Sequence, residues 1–331
     1  MAECNVSQAT TDFTLTGFPS LQNFQIPLFL LFLFLYLLIL TGNIMILCTV
    51  VLDRTLHKPM YFFLSNLSVL DILCTTTTVP KMLSMFLFNA STISFSGCFL
   101  QMYFFHSFAV NECFLLVVMA YDRYVAICSP LHYVTKMTKR KNVLIAASSW
   151  ISALLVPVPA VIQTSQLHFY GTIHVEHCFC DHLSVVQAAC SDATFQTFLG
   201  FSIAMVVSIV PLMLVFLSYL KIIMSVLKLN SKESQKKAFS TCSAHVIVVI
   251  TFYASMAVSY VSYRADMSRD IHVMGSIVFA ILTPMVNPII YTLRNKEVKK
   301  AMTKLVHSMR STGTLRKTVN SLNKRAMEIG F

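Results

Sequence analysis

The sequence is dominated by long apolar stretches that contain almost no charge. The first, residues 26–51, holds no Asp, Glu, Lys or Arg and includes the run LFLLFLFLYLLIL. About 20 apolar residues are enough for a helix to cross the hydrocarbon core of a bilayer. Six further stretches of similar length follow, so we predict an all-α membrane protein that forms a seven-transmembrane helix bundle. The predicted spans cover residues 25–51, 60–84, 97–121, 142–162, 196–223, 238–262 and 272–292.

The distribution of Lys and Arg predicts the orientation of these spans. Cytoplasmic segments of membrane proteins are enriched in both residues. With the N-terminus outside, every Lys and Arg except Lys81, Arg264 and Arg269 falls in an inner segment. We therefore expect a multi-pass plasma-membrane protein with an extracellular N-terminus. The net charge of +11 lies in short blocks between the spans, which favours contact with anionic membrane lipid and argues against nucleic acid as a partner.

The same pattern divides the chain into four regions. We expect residues 1–24 to be an extracellular N-terminal tail and residues 25–292 to be the transmembrane domain. In residues 293–310 apolar positions recur at i, i+3, i+4 and i+7 opposite a row of lysines, which predicts a short amphipathic eighth helix on the inner leaflet. Residues 311–331 are expected to be a disordered cytoplasmic tail. No basic segment precedes the first span, so we expect that span to act as an uncleaved anchor.

Two features predict covalent modification on the outer side. Asn5 begins an Asn-Val-Ser triplet, which is a glycosylation acceptor. A disulfide from the start of the third span to the loop after the fourth would hold that loop over the mouth of the bundle. The cysteines on the predicted outer side are Cys4, Cys98, Cys178, Cys180 and Cys190.

Two carboxylates, Asp71 and Glu112, fall near the middle of spans two and three. Ionisable residues are costly inside a membrane and often mark a functional site. A cation or a shared proton would compensate the two charges. We favour a Na⁺ site, with Ser68 or Asn287 nearby, over a protonated pair that serves only packing, and we expect no other cofactor. His245 in span six is more typical of a polar packing residue than of a proton switch.

Short motifs mark the inner ends of spans three and seven. Asp122, Arg123 and Tyr124 end the third span, where charges are tolerated and an interfacial anchor is the alternative interpretation. Asn287 and Pro288 begin the sequence NPIIY near the end of the seventh span. Proline frees a backbone carbonyl and kinks the helix. Such a kink can act as a bistable element, so the two motifs together predict a switch at the inner face.

The patterns of two other classes of membrane protein are missing from the sequence. Neither GxSxG nor HExxH occurs, and an intramembrane hydrolase would need a nucleophile and base set of this kind. Internal repeats and paired broken helices, which are typical of transporters, are not visible either. We therefore expect neither catalysis nor transport.

Longer sequence blocks resemble a known family. They are PMYFFLSNLSVLD (59–71), MAYDRYVAICSPLHY (119–133), SYLKII (218–223), KAFSTCSAH (237–245) and PMVNPIIYTLRNKEV (284–298). In this order, and over nearly the whole chain, they resemble vertebrate odorant receptors, a family of rhodopsin-like G-protein-coupled receptors, and in particular its tetrapod-expanded class. The resemblance implies small volatile odorants as ligands, a heterotrimeric stimulatory G protein that raises cyclic AMP, and olfactory cilia as the location. The alternative is a rhodopsin-like receptor for a non-odorant small molecule, expressed outside the olfactory epithelium.

The resemblance also implies roles for single residues. Arg123 would be held by Asp122 at rest and then released to meet the G protein, while Tyr219 and Tyr291 rearrange with it. Tyr253 matches an aromatic residue that acts as a switch beneath the ligand. The two mid-membrane carboxylates match the family's sodium site.

The cysteines of the loop after span four only partly fit the family. The resemblance implies a Cys98–Cys180 disulfide. Tyr170 stands where the family usually has another cysteine, and Cys178 stands where an aromatic is common. A second bridge from Cys178 to Cys190 is one hypothesis, and competition of Cys178 for Cys98 is another. The loop is also dense in histidine, but we favour oxidised cysteines and solvated histidines over a metal site.

The ligand is expected in the outer half of the bundle, between spans three, five, six and seven. A small volatile would be held mostly by burial of apolar surface. Roughly half of the candidates should line the cavity, and the rest should pack between helices. The candidates are Met102, Phe105, His106, Ala109, Val110, Ile203, Ala204, Val207, Tyr253, Met256, Ala257, Tyr260 and Ile277, of which His106 and Tyr260 would also offer hydrogen bonds.

Overall fold

The computed structural model describes residues 11–229, 231–264 and 268–312, and it shows a bundle of long helices. Within that part of the chain, seven helices are long and apolar enough to cross a membrane, which confirms the predicted fold class. Each runs past its predicted span, because helical hydrogen bonding continues beyond the hydrocarbon core. The seven are α1 (Gln25–Leu52), α2 (Pro59–Phe88), α3 (Phe95–Cys128), α4 (Lys139–Leu155, continued by Val158–Ser165), α5 (Thr194–Leu227), α6 (Lys232–Arg264) and α7 (Arg269–Arg294).

Helix α3 lies at the centre of the bundle, where it packs against α2, α4, α5 and α6. Sixty-one per cent of its most apolar stretch is buried, against 17% for α5 and 22% for α1. The side chains that α1 and α5 leave exposed are large and apolar, such as Phe34 and Phe216. Exposed apolar surface on this scale would be unfavourable in water, so these faces lie against lipid.

Helices α1 and α7 are joined where α7 carries two prolines. Pro288 has no N–H to donate to the carbonyl of Pro284, which is therefore left without its helical partner. The side chain of Asn43 in α1 donates a hydrogen bond to that carbonyl at 3.1 Å. Gly42 lies beside it, and a Cβ at this position would come within 3.0 Å of the Pro288 ring. A glycine and an asparagine in α1 thus accommodate the proline of α7 and the carbonyl that it leaves free.

A small three-stranded sheet lies at one mouth of the bundle, which we call the outer mouth in keeping with the predicted orientation. Strand β1 (Asp12–Leu15) is central, antiparallel to β2 (Thr92–Ser94) and parallel to β3 (Ile173–Val175). The segment that we predicted to be an extracellular tail therefore contains a β-strand at residues 12–15 and a helical turn at residues 19–24. The predicted glycosylation acceptor Asn5 lies outside the described residues.

Aromatic packing holds this sheet against the bundle. The Phe13 side chain is fully buried. Its ring contacts Phe95, Phe99 and Phe169, with centroid distances of 5.6, 6.2 and 5.1 Å. These rings come from the start of α3 and from outer loop 2, which we define as residues 166–193. The sheet therefore acts as a lid that ties the N-terminal segment to two distant parts of the chain.

At the inner end, α8 (Lys296–Thr312) follows α7 after a single residue. Asn295 caps it, because its Oδ1 accepts hydrogen bonds from the backbone N–H groups of Glu297 and Val298. Lys58 at the start of α2 pairs with Glu297 at 2.8 Å, and this contact lowers the pKa of the Glu297 carboxyl. The buried face of α8 includes Val298, so the helix is amphipathic as expected. The rest of the predicted tail, residues 313–331, lies outside the described residues.

Shorter helical turns occupy the connections between these elements. They are Pro19–Phe24, Arg54–Leu56, Pro130–His132, Tyr133–Lys136 and His182–Gln187. The last of these lies inside outer loop 2 and faces the cavity described next. Its N-cap is Asp181, whose carboxylate accepts a hydrogen bond from the N–H of Leu183.

Candidate functional site

A cavity of about 410 Å³ lies in the outer half of the bundle. Most of its lining side chains are apolar. On α3 and α5 the lining positions recur at intervals of three or four residues, which places them on one face of each helix. Ten of the thirteen ligand-site candidates line it: Met102, Phe105, His106, Ala109, Val110, Ile203, Ala204, Val207, Met256 and Tyr260.

The other three candidates lie outside this wall. Tyr253 is one turn deeper on α6, beside Cys113 at the floor of the cavity. Ala257 faces a separate groove on the outer surface of α6 and α7. Ile277 is 3% exposed and packs in the outer core, while Phe279 lines the cavity from α7. A helix turns by 100° per residue, so an error of one position in its rotation produces misses of this kind.

Two parts of the wall contain none of the thirteen candidates, although the sequence did predict that the loop after span four lies over the mouth of the bundle. Outer loop 2 forms the roof, and the region where α4 is interrupted forms one side. Neither segment has an apolar periodicity that would point it at the cavity. The residues concerned are Val156, Pro157, Ala160 and Val161 from α4, and Asp181, His182, Leu183 and Gln187 from the loop.

Polar groups gather at the loop end of the cavity. The carbonyl of Met102 can only accept, so the Nδ1 of His106, 2.9 Å away, must carry the proton. The Nε2 of His106 then points towards the Asp181 carboxylate at 3.9 Å. His182 Nε2 lies 3.1 Å from the Thr164 hydroxyl. Burial, with a smaller contribution from the nearby His106, lowers the pKa of His182 to about 4, while Asp181 opposes the shift. The His182 ring is therefore neutral at physiological pH.

The roof is held in place by the disulfide between Cys98 and Cys180, which confirms that pairing. Gln101 on α3 adds a second tether, because its Oε1 accepts a hydrogen bond from the Cys180 N–H at 2.9 Å. The hypothesis of a Cys178–Cys190 bridge is wrong, since Cys178 is a free, buried thiol. Cys190 is disulfide-bonded, and its partner is none of the described cysteines.

The histidines and cysteines of the roof do not converge on a common point. Among the described residues, no three His, Cys, Asp or Glu side chains are arranged as metal ligands. His177 is fully buried, with its ring edge-on to Phe179 at 4.2 Å. Burial lowers the pKa of His177 to about 4. At least one of the many histidines of this loop, His177, is therefore a packing residue of the roof.

Deeper in the bundle, polar groups from α2, α3 and α7 meet. Asn287 donates its amide to both carboxylate oxygens of Asp71, at 3.3 and 3.1 Å. Asp71 and Glu112 are 1% and 5% exposed and interact electrostatically. The Glu112 Oε1 and Asn287 Oδ1 atoms are buried and have no hydrogen-bond partner among the described residues. Such an oxygen-rich, under-satisfied set has the donor chemistry of a hard cation site.

At the inner end of α3, the acidic and basic residues of the motif are not paired with each other. Asp122 accepts a hydrogen bond from the Tyr133 hydroxyl at 2.7 Å. No ion pair between described residues joins Asp122 to Arg123, although the two charges interact electrostatically. Arg123 is buried, and its Nε has no hydrogen-bond partner in the described chain. Tyr124 lies beneath the Lys221 ammonium, 5.7 Å from the ring centroid.

His245 links three helices just above Arg123. Its Nε2 lies 3.1 Å from the Leu116 carbonyl in α3, and its Nδ1 lies 2.7 Å from the Tyr219 hydroxyl in α5. The carbonyl can only accept, so Nε2 carries the proton and Nδ1 accepts from Tyr219. Tyr291 of α7 is also buried here, and its hydroxyl has no described partner. The histidine therefore serves as a polar packing residue that joins α3, α5 and α6.

Comparisons with known proteins agree with this architecture. The sequence model of the family described as "Olfactory receptor" matches residues 32–309. Human "Olfactory receptor 2AT4" is 59% identical over 305 residues, which is 92% of this chain and 95% of that protein. Mouse "Olfactory receptor 6B9" is 44% identical over 89% of this chain and 94% of its own length. The crystal structure of squid rhodopsin superposes with a TM-score of 0.66 at 17% identity, covering 92% of this chain and 91% of that one.

Proposed function

This chain belongs to the olfactory receptor family, and on that premise we propose that its outer cavity binds small volatile molecules and that its inner face activates a stimulatory G protein, raising cyclic AMP. The family consists of receptors and not enzymes. The observation that carries the ligand proposal is the cavity of about 410 Å³ beneath outer loop 2, whose polar groups gather at one end. We further propose an extracellular N-terminus and a location in olfactory cilia.

Burial of apolar surface would supply most of the ligand's binding free energy, at about 25 cal/mol per Å². The side chains that would orient it are His106, His182 and Asp181 at the loop end and Tyr260 on α6. A hydroxyl, carbonyl or amine group on the ligand would face these residues. The hydrocarbon part would lie against α3 and α5, where shape decides which homologues fit.

The inner face offers a surface that suits a protein partner. In the loop between α3 and α4, Leu131 and Val134 are 92% and 79% exposed. Both side chains are free to make apolar contacts with a partner on this face. The adjacent Tyr133 is bound to Asp122, so the loop is tied directly to the end of α3. We propose that the G protein docks on this loop and reaches Arg123 when α6 moves outward.

Ligand binding would shift a population between two arrangements of the bundle. An odorant that binds the active arrangement better by a few kcal/mol is sufficient. The element that must yield is the link through His245, because outward movement of α6 separates it from α3 and α5. A Na⁺ ion held by Asp71, Glu112 and Asn287 would compensate the buried carboxylates and favour the resting arrangement.

The decisive experiment is a cyclic AMP assay in cells that express this chain with an olfactory-type G protein. A panel of volatiles is applied, and surface expression is confirmed in parallel. The matched control is Arg123→Ala, which should reach the surface but give no response, because it lacks the cation that we propose to contact the G protein. A volatile that raises cyclic AMP equally in both chains would overturn the coupling assignment. Silence of a surface-expressed receptor would instead favour a non-odorant ligand.

A further inference from the structure

A second apolar concavity of about 600 Å³ lies on the lipid-facing side of the bundle, between the outer halves of α6 and α7. We call it the lateral groove. It is lined mainly by Val258, Val261, Met274 and Val278, with Ser262 and Gly275 at its base and Asp270, in the first turn of α7, as the one ionisable side chain among its described lining residues. Val258 and Val261 are at least half exposed, so the groove is open towards the membrane. Neither the ligand cavity nor the coupling surface uses these residues.

The lateral groove and the ligand cavity are two sides of one wall. On α6, Ser259 and Tyr260 line the cavity, whereas Val258 and Val261 line the groove. On α7, Ser276 lines the cavity while its neighbour Gly275 lines the groove. Adjacent residues on both helices thus face opposite sides, and the wall is one layer of side chains thick.

This wall is made of small residues at the line where α6 meets α7. The Ser259 and Ser276 hydroxyl oxygens are 3.3 Å apart. A Cβ on Gly275 would lie 2.7 Å from the Ser262 Oγ, so the helices are in close contact there. We call these four residues the seam. Deeper in the bundle α6 and α7 stay joined by the Ser255 and Thr283 hydroxyl groups, 3.4 Å apart, and by the rings of Phe252 and Phe279. An opening confined to the outer ends of the two helices therefore separates the Ser259 and Ser276 hydroxyl groups and connects the groove to the cavity.

We propose that the lateral groove is a docking site for apolar odorants dissolved in the bilayer, and that they pass from it through the seam into the ligand cavity. The inference rests on the proposed function, because it supplies the ligand for that same cavity. The occupant follows from the apolar lining, from the opening towards lipid, and from the wall shared with the cavity. The outer mouth, by contrast, carries the lid and outer loop 2.

The test uses a small lipophilic photoprobe, trifluoromethyl-phenyldiazirine, dissolved in the bilayer of nanodiscs that contain the full-length receptor. After illumination, the labelled residues are mapped by mass spectrometry. In the wild type we expect label on the groove at Met274 and Val278 and on the cavity wall at Met256 and Phe279. No odorant and no G protein are needed, so a receptor that is silent in the cyclic AMP assay still gives a result here.

The critical variant is Ser259→Cys/Ser276→Cys, oxidised to a disulfide that locks the seam, with each single substitution as its control. We expect the locked receptor to retain label on the groove and to lose it from the cavity wall. Groove labelling also reports that the variant is folded. A second variant, Ser259→Ala/Ser276→Ala, removes the contact between the hydroxyl groups and should increase cavity labelling.

Three results would overturn the proposal. Equal cavity labelling in the locked receptor and in the single variants would mean that the probe takes another route. Labelling of the groove but never of the cavity in the wild type would mean that the seam does not open. The absence of label from the groove itself would remove the docking site.

Discussion

His177 and His182 are both neutral rings in outer loop 2, the first fully buried and the second partly buried, and they are held differently. His177 accepts a hydrogen bond at Nδ1 from the Phe179 N–H, and its Nε2 has no described partner. His182 has a hydroxyl partner and lies against α5, where a Cβ on Gly200 would overlap its ring. At the scale of single residues, therefore, the structure of the roof depends on a neutral His177 and on a glycine at position 200.

We predict that the roof loses stability in acid because His177, which is buried in it, becomes protonated. Burial lowers the pKa of His177 from its ordinary value of 6.5 to about 4. Between these values the unfolded chain binds a proton that the folded chain does not, so stability falls as the pH falls. At pH 5 the loss should be about 2 kcal/mol. His177→Asn keeps an acceptor for the Phe179 N–H and does not titrate. Thermal unfolding at pH 7 and pH 5 should therefore show a smaller acid effect in this variant, and an unchanged effect would contradict the assignment.

We also predict that Gly200→Ala weakens the response to odorants. The added methyl group would take the place of the His182 ring, which must then move into the ligand cavity or away from Thr164. Potency in the cyclic AMP assay should fall by about tenfold, which corresponds to about 1.4 kcal/mol. His182→Ala is the control, and the double variant should be no worse than His182→Ala alone. Additive losses would show that the two positions act independently.

At the scale of elements, the sequence predicts the helices well and the sheet not at all. A span such as residues 26–51 is recognisable from its own composition, because the bilayer imposes one length and one polarity on every helix that crosses it. The strands are three or four residues long and lie far apart in sequence, at residues 12–15, 92–94 and 173–175. None has a pattern that distinguishes it from a loop, since pairing depends on where the helices place their ends.

The same distinction divides the candidate site. Residues on the regular faces of α3 and α5 could be chosen from spacing alone, and the structure places those candidates around the cavity. The lining residues of the roof could not be chosen in this way, because Asp181 and His182 are placed by the Cys98–Cys180 disulfide and by a hydrogen bond that the Cys180 N–H donates to Gln101. Those contacts join parts of the chain about 80 residues apart. Apart from the two cysteines, nothing in the local sequence indicates these long-range contacts.

At this scale we predict that the stability of the lid depends on the Phe13 side chain. Phe13→Ala should leave a cavity among Phe95, Phe99 and Phe169 and cost about 3–5 kcal/mol of stability. Because β1 is the middle strand, its loss also separates β2 from β3. We expect a lower unfolding temperature and less receptor at the cell surface. Asp12→Ala on the same strand removes an exposed side chain and is the matched control. Equal behaviour of the two variants would show that the strand is not a structural element.

At the scale of the whole molecule, the polar groups form three layers along the bundle axis. The cavity lies in the outer layer, Asp71 with Asn287 lies in the middle, and His245 with Tyr219 lies in the inner layer. Helices α3, α6 and α7 run through more than one layer. A change of packing in the cavity can therefore reach the inner face through rigid helices, without a continuous chain of contacts.

The middle layer gives a prediction for the molecule as a whole. If Na⁺ binds the resting arrangement, replacing potassium by sodium at constant ionic strength should raise the unfolding temperature, by mass action on the folded state. Asp71→Asn keeps the size of the side chain and removes its charge, so this variant should lose the difference between the two salts. Thermal unfolding of purified receptor in each salt provides the measurement. Equal stability of the wild type in both salts would argue for a protonated pair.

The middle position of β1 in the lid has a consequence for the order of assembly. The strand precedes all seven long helices, but its parallel neighbour β3 lies some 160 residues later, beyond four membrane helices. Until those helices have been inserted and their loops translocated, β1 has nothing on that side to pair with. Closure of the lid is therefore a late event that requires the first four helices to be correctly placed. Until the lid closes, Phe13 and its aromatic partners remain without the packing that they have in the finished receptor.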